Sequence, residues 1–462
     1  MLSRLSAWPL LLLLVLAACT GPVPEGSTGE PYDRPSRDEP EAATCRDPVV
    51  LARPDPDRPR YRLRIRVRPE QGVVTGRLRV AFTPDLATGK LVFRLWPNGP
   101  RQMRAGTRLE VGPVDSDGRR LDAQLTNPTT LEIDPGPRLL PGETIAVSLP
   151  WRLELPGPSF DRISADGTSL RLGSFFPLLA WQPGAGWLRD PPSTSLAETS
   201  TSPVADFDVA LQLPPGVEAL ASGREVSPGR WRARAMRDFA LATGRFETAT
   251  ATARAPQPVR VTVGVDEAVD GSPEPYREGV LRALEALARR YGPYPWPSFN
   301  LAITPGLAHA GIEYPSFVMQ GEETLGVVTN HEVAHQWFYS LVGSNPAREP
   351  WLDEGLTTYA QSRIDSQVGL FASEPVPAAA RNRLGAGMRY WDGHQDVYFQ
   401  GVYAQGVKAL AAVGSPGVID CGLRRYVGAN AYSIADSSDL IRALEAERPG
   451  AGGILERFGV RP

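Results

Sequence analysis

Lysine, histidine and cysteine are all scarce in this chain of 462 residues: Lys90 and Lys408 are the only lysines, and there are four histidines and three cysteines. Positive charge therefore rests almost wholly on arginine, and the formal net charge of -3 leaves no broad basic field of the kind that holds nucleic acid. No nucleic-acid partner is expected. None of the cysteines has the spacing of a metal-ligand set. Long apolar runs are absent after the first twenty residues, so no later segment is expected to cross a bilayer as a helix. What remains is a chain long enough for two or three domains, with apolar and charged fractions ordinary for a globular protein.

The first nineteen residues, MLSRLSAWPLLLLLVLAAC, carry one positive charge at Arg4, a short leucine-rich core and then small residues. That is the layout of a secretory signal, and it is too short to span as a membrane helix. Leu16, Ala17, Ala18 and Cys19 resemble a bacterial lipobox, which implies removal of residues 1–18 and acylation of Cys19. The protein is then expected outside the cytoplasm, at the cell surface or in the periplasm, held to a membrane by lipid. Residues 19–47, rich in Pro, Gly, Glu, Asp and Ser, read as a disordered tether. In an oxidising compartment Cys45 and Cys421 form either a disulfide joining the two ends of the fold or two buried free thiols.

The folded part is expected to begin near Pro48. In YRLRIRVRP, Tyr61, Leu63, Ile65 and Val67 alternate with arginines, the period of a strand with one buried and one wet face. Similar short runs separated by Pro and Gly turns continue, so residues 48–255 read as an all-β domain. The period then changes. In PYREGVLRALEALARRYGPYP, Leu281, Leu284, Ala288 and Tyr291 recur at helical spacing before a Gly-Pro stop. SFNLAIT reads as a strand, and residues 320–342, 351–364, 375–392 and 399–413 read as mainly helical. Residues 256–462 are thus an α-rich second domain with a small sheet.

Two of the four histidines lie in VVTNHEVAHQWFYSL. At i and i+4, His331 and His335 stand on one helix face and can aim both imidazoles at a shared object, with Glu332 between them. Glu354, in PWLDEGLTTYAQS, follows His335 after eighteen intervening residues. Two imidazoles and a carboxylate are the protein ligands of a catalytic zinc that keeps an open position, and Glu332 is then placed to serve as general base.

The combination HEVAHQW and WLDEGL is similar to the gluzincin zinc aminopeptidases, the family of aminopeptidase N and leukotriene hydrolase. The family usually carries Trp-Leu-Asn-Glu-Gly, so Asp353 puts an acid where an amide is usual, and it is expected to tune the surroundings of the metal. The family's Gly-x-Met-Glu-Asn strand is recognisable as Ala310, Gly311, Ile312, Glu313 and Tyr314, which departs from the pattern at three positions. By that resemblance Glu313 holds the free α-ammonium of a peptide substrate, with Ala310 and Gly311 in the substrate-binding strand. The family's oxyanion-stabilising tyrosine, in a Tyr-x-x-Gly segment, corresponds to Tyr403 in VYAQGVKAL or to Tyr398 in DVYFQG, and the apolar helix following Gly406 favours Tyr403. The resemblance covers about residues 48–415. It implies a multidomain α+β architecture: an N-terminal antiparallel β-saddle domain, then a thermolysin-like α/β zinc-peptidase domain, with no C-terminal helical-repeat domain and hence a more open cleft.

The reading is a lipid-anchored zinc aminopeptidase with one Zn2+ per chain, ligated by His331, His335 and Glu354, acting on peptides. Two rivals stand beside it: a zinc endopeptidase or other hydrolase on the same site, and a non-catalytic cell-surface lipoprotein binding module. The residues leave the first-position preference and the oligomeric state open. His309 reads as a packed or solvated histidine, and His394 has no evident partner.

Overall fold

A computed structural model describes Cys45 and residues 49–195 and 201–462. The leader, Cys19 and nearly all of the expected tether lie outside the described residues. The first half is β-rich. Strand β1 (Arg60–Arg68) is buried at alternate positions, with Tyr61, Leu63, Ile65 and Val67 at most 3% exposed. It pairs antiparallel with β2 (Val73–Phe82), which pairs with β3 (Ile145–Glu154), and on its other side it runs parallel to β4 (Ala205–Gln212). Strand β5 (Arg230–Met236) continues the array beyond β4, within a nine-stranded sheet among the described residues.

The second half opens with a five-stranded sheet built from β6 (Phe246–Arg254), β7 (Pro258–Asp266), β8 (Ser298–Ile303), β9 (Gly311–Tyr314) and β10 (Phe317–Gln320), in the order β6-β7-β8-β10-β9. Strand β6 falls inside the range read from the sequence as the first domain, yet it pairs only with the second sheet. After Phe246 its sequence FETATATAR alternates without bulky apolar residues, so it offers no hydrophobic period by which to assign it to a core. Strand β9 forms the edge and therefore keeps one side of its backbone free for another chain.

Helix α1 (Pro273–Tyr291) connects β7 to β8, and the helices α2 (Val327–Ala334) and α3 (Trp351–Ile364) follow the sheet. The helical character expected over 320–342 is confined to α2, because Glu323 and Gly326 both take positive φ in the approach and hold that stretch as turns. Over 375–392 only Met388–Trp391 is helical, in a stretch interrupted by Pro375, Pro377, Gly385 and Gly387. A π-helical turn, Phe399–Ala404, leads into α4 (Gln405–Val413), and α5 (Pro416–Asn430) packs behind.

One set of buried side chains runs from Leu63 and Phe207 of the first sheet to Trp337, Trp351 and Leu356 of the helical part. Arg237 pins the two halves together: fully enclosed, it donates to the carbonyls of Ser202, Ser340 and Ser433 at 3.0–3.3 Å. Cys45 and Cys421 are disulfide-bonded, so of the two alternatives open in the sequence the free thiols are excluded. The bond ties the start of the described chain to α5, where the Ala52 amide also donates to the Gly428 carbonyl at 3.0 Å.

Candidate metal and catalytic site

Helix α2 delivers both histidines, and it ends at once: His335 is its C-cap. The amides of Ser340, Leu341 and Val342 then reach back five residues, to the carbonyls of His335, Gln336 and Trp337. This wide turn carries the chain away while the two imidazoles stand nearly perpendicular, 4.7 Å apart. Their Nε2 atoms are 3.1 Å apart, and Glu354 Oε2, from the first turn of α3, lies 3.2 Å from His331 Nε2 and 3.5 Å from His335 Nε2. Three donor atoms of the N, N and O types preferred by zinc thus converge on one point.

The supporting atoms suit that purpose. His335 Nδ1 faces Asp353 Oδ1 at 2.9 Å, Thr357 Oγ1 at 3.1 Å and the Phe338 carbonyl at 3.2 Å. Acceptors around Nδ1 favour a proton there and leave Nε2 as the lone-pair donor. Burial alone would lower the His335 pKa, but the carboxylates of Glu313 and Asp353 raise it well above the ordinary histidine range. His331 is lowered, chiefly by burial. Burial would raise Glu354, yet hydrogen bonds from His331 and His335 hold it well below the usual carboxylate range.

Glu332 is 5% exposed, and its Oε2 has no hydrogen-bond partner. Burial pushes its carboxyl above the ordinary range, and an unpartnered buried acceptor is the kind of group kept for chemistry. Strand β9 runs immediately beside it. A Cβ placed on Gly311 would sit 2.4 Å from Glu332 Cγ, so only glycine allows the strand so close. Two residues on, Glu313 is also buried, and its carboxylate lies within 4.8 Å of ligand atoms of Glu332 and His335. Burial raises its pKa well above the usual value. Ala310 opens the strand, its carbonyl accepting from the Gly321 amide at 3.0 Å.

Tyr403 lies on the π-helical turn, its ring stacked on His331 at 5.9 Å, and burial together with the nearby Glu354 carboxylate raises its hydroxyl pKa well above the ordinary value. Isolated π-turns occur mostly at functional sites, because the extra residue re-aims a side chain. Tyr398 packs edge-on against Tyr403 and against Trp391. The expected residues from α2, α3, β9 and the π-turn are therefore brought together. His309 and His394 are not among them: His309 pairs with Glu323 at 3.4 Å on an exposed loop, and His394 stacks on Tyr390.

Sequence reasoning missed Thr357 and Gln336. Thr357 is one helical turn beyond Glu354, a spacing that would have shown it to share the Glu354 face. Gln336, fully buried, accepts from the Ser316 amide at 2.8 Å and donates to the Tyr314 carbonyl at 3.0 Å, joining α2 to the β9–β10 hairpin. No sequence signal marks such a backbone latch.

A β-rich first part, a five-stranded sheet with β9 at its edge and a His-His-Glu set beside a buried glutamate build a site able to hold a zinc ion. Residues 278–457 match the Peptidase family M1 domain, so that part of the chain is similar to the gluzincin aminopeptidases. Aminopeptidase B of Homo sapiens is 34% identical over 105 residues, 21% of this chain and 16% of that protein. The leukotriene A-4 hydrolase of Xenopus laevis is 35% identical over 98 residues, 20% of this chain and 16% of that protein. The matched stretches thus span under a fifth of those two relatives. In fold, the M1 zinc metallopeptidase of Deinococcus radiodurans is similar with a TM-score of 0.65 at 19% identity, over 88% of this chain and 94% of that one. A variant of the Deinococcus enzyme bound to a Tyr-Ser-Ala substrate matches over the same shares with a TM-score of 0.64 at 21% identity.

Proposed function

We propose that this chain is a zinc-dependent aminopeptidase that removes N-terminal residues from peptides. The observation that carries the proposal is the convergence of His331 Nε2, His335 Nε2 and Glu354 Oε2 beside the unpartnered, buried Oε2 of Glu332. Bound there, zinc would supply Lewis-acid polarisation of the scissile carbonyl and a lowered pKa for water. The chain's own groups do the rest. Glu332 takes a proton from the attacking water and passes it to the leaving amine. The Tyr403 hydroxyl donates a hydrogen bond to the oxyanion that develops on the carbonyl.

Exopeptidase action rests on Glu313. A buried carboxylate on the cleft-edge strand attracts a free α-ammonium, and a blocked amino terminus leaves that carboxylate buried and unpaired. We further propose that the protein works outside the cytoplasm on a lipid anchor at Cys19; the leader sequence and the Cys45–Cys421 disulfide support this.

The test compares peptides with free and N-acetylated amino termini, in wild type and in Glu332→Gln. Wild type is expected to prefer the free terminus by about 100-fold or more, and Glu332→Gln to keep its zinc while losing activity by orders of magnitude. Equal turnover of both peptides would reject the exopeptidase assignment in favour of endopeptidase action. Undiminished activity in Glu332→Gln would reject the mechanism.

A further inference from the structure

The outward face of the nine-stranded sheet holds a patch of charge opposite in sign to the chain as a whole. Because β1 alternates strictly, Arg60, Arg62, Arg64 and Arg66 all point away from the core and are exposed. The β1–β2 register then sets Arg62 directly opposite Arg79, and Arg64 directly opposite Arg77. Side chains so placed have Cβ atoms about 5 Å apart, where like charges destabilise a sheet.

Acids relieve only the margins. Arg79 reaches Asp117 at 2.9 Å and Arg77 reaches Asp115 at 3.4 Å. Arg60 turns to the Pro56 carbonyl and Arg66 to Gln212. Asp208, the acid level with Arg62 on β4, is engaged by Arg234 at 2.7 Å and Arg232 at 3.6 Å. Among the described residues, Arg62 and Arg64 make no side-chain ion pair or hydrogen bond. Sheet stability gives no reason for two unpaired arginines at the centre with two more across from them; a fixed layer of negative charge outside the protein does.

We infer that this face docks on an anionic bilayer surface, with Arg62 and Arg64 at the centre of contact. From Arg60 to Arg66 the array extends about 20 Å along the strand, on the broad face of a sheet and not in a groove, which matches a plane of phosphate headgroups better than a single anion. Proximity rests on the anchoring proposed above. The 25 residues between Cys19 and Cys45 can reach no farther than about 3.5 Å each, so a lipid at Cys19 holds the fold near the membrane. The disulfide at Cys45 fixes where that chain meets the fold. Attraction of this kind is screened within a Debye length, so contact strengthens at low salt and fades at high salt.

The test uses the full chain with vesicles of phosphatidylcholine alone and vesicles with about a third phosphatidylglycerol. Wild type should partition at least tenfold more strongly to the anionic vesicles at low salt, an advantage lost near 0.5 M salt. Arg62→Gln with Arg64→Gln should lower that advantage by about 25-fold or to nothing, at roughly fivefold per arginine. Arg62→Glu with Arg64→Glu should abolish it while leaving the thermal midpoint unchanged or raised, since each glutamate would face an arginine. Binding to phosphatidylcholine, which reports the lipid anchor, should be the same in all three proteins. An anionic advantage that survives charge reversal, or its absence in wild type, overturns the inference. Loss of phosphatidylcholine binding with the anionic advantage intact would reject the anchor and leave this face standing. Equal affinity for a DNA duplex at the same salt would reassign the face and overturn the lipid assignment.

Discussion

Gly311→Ala is the smallest change that strains the site without replacing a ligand or the base. The added Cβ would lie 2.4 Å from Glu332 Cγ, 2.5 Å from Cδ and 2.6 Å from Oε1. Carbon atoms rest about 3.5–4.0 Å apart, so strand and side chain must separate by roughly 1 Å. Glu332 is buried and close-packed, so the displacement falls on its carboxylate. A 1 Å misplacement of a catalytic group lowers a rate by about 100-fold, equivalent to about 2.7 kcal/mol in the barrier. Steady-state hydrolysis of an aminoacyl anilide should therefore show kcat reduced on the order of 100-fold, with zinc content unchanged because none of the three ligands is contacted. A kcat within twofold of wild type would refute the reasoning, for it would mean that the Glu332 carboxylate has no fixed place in the reaction.

Tyr403→Phe is expected to lower kcat by about 100- to 1,000-fold with little change in KM, whereas Tyr398→Phe should stay within about fivefold; the reverse order in steady-state kinetics would transfer the oxyanion role to Tyr398. The Glu313 and Asp353 carboxylates outweigh burial and raise His335 well above its ordinary pKa, so a proton on that imidazole competes with metal. Zinc affinity should then weaken as pH falls below that raised pKa, and calorimetry in buffers of different ionisation enthalpy should show at least one proton released per zinc. Cys421→Ser should lower unfolding stability by about 2–5 kcal/mol in denaturant titrations, since the bond closes a sequence separation of 376 residues; an unchanged midpoint would mean the first described residues contribute nothing to stability.

Much of the site was legible because helical geometry converts spacing into proximity. His331 and His335, four apart, needed no tertiary information to be grouped, Glu354 was joined to them by the ligand set zinc prefers and by the resemblance of WLDEGL, and β1 announced itself by alternation. Elsewhere the determinants were not local. Strand β6 belongs to the second sheet because of the partner it meets, and its Thr-Ala alternation is silent about which. Residues 375–392 hold enough apolar side chains to suggest a helix, but prolines and glycines divide them into turns. Thr357 and Gln336 act through contacts with His335 and with backbone amides that exist only once α2, α3 and the β9–β10 hairpin have packed. What sets Tyr403 apart from Tyr398 in the structure is the ring stacking on His331 from the π-turn, which no sequence period marks.

The most direct test is zinc stoichiometry by mass spectrometry after equilibration with limiting metal, on wild type and on His335→Ala and Glu354→Ala. One zinc per chain in wild type, and at least tenfold weaker retention in each variant, is the predicted result. A wild-type protein that binds no zinc, or variants that retain it undiminished, would contradict the claim that these side chains form a metal centre.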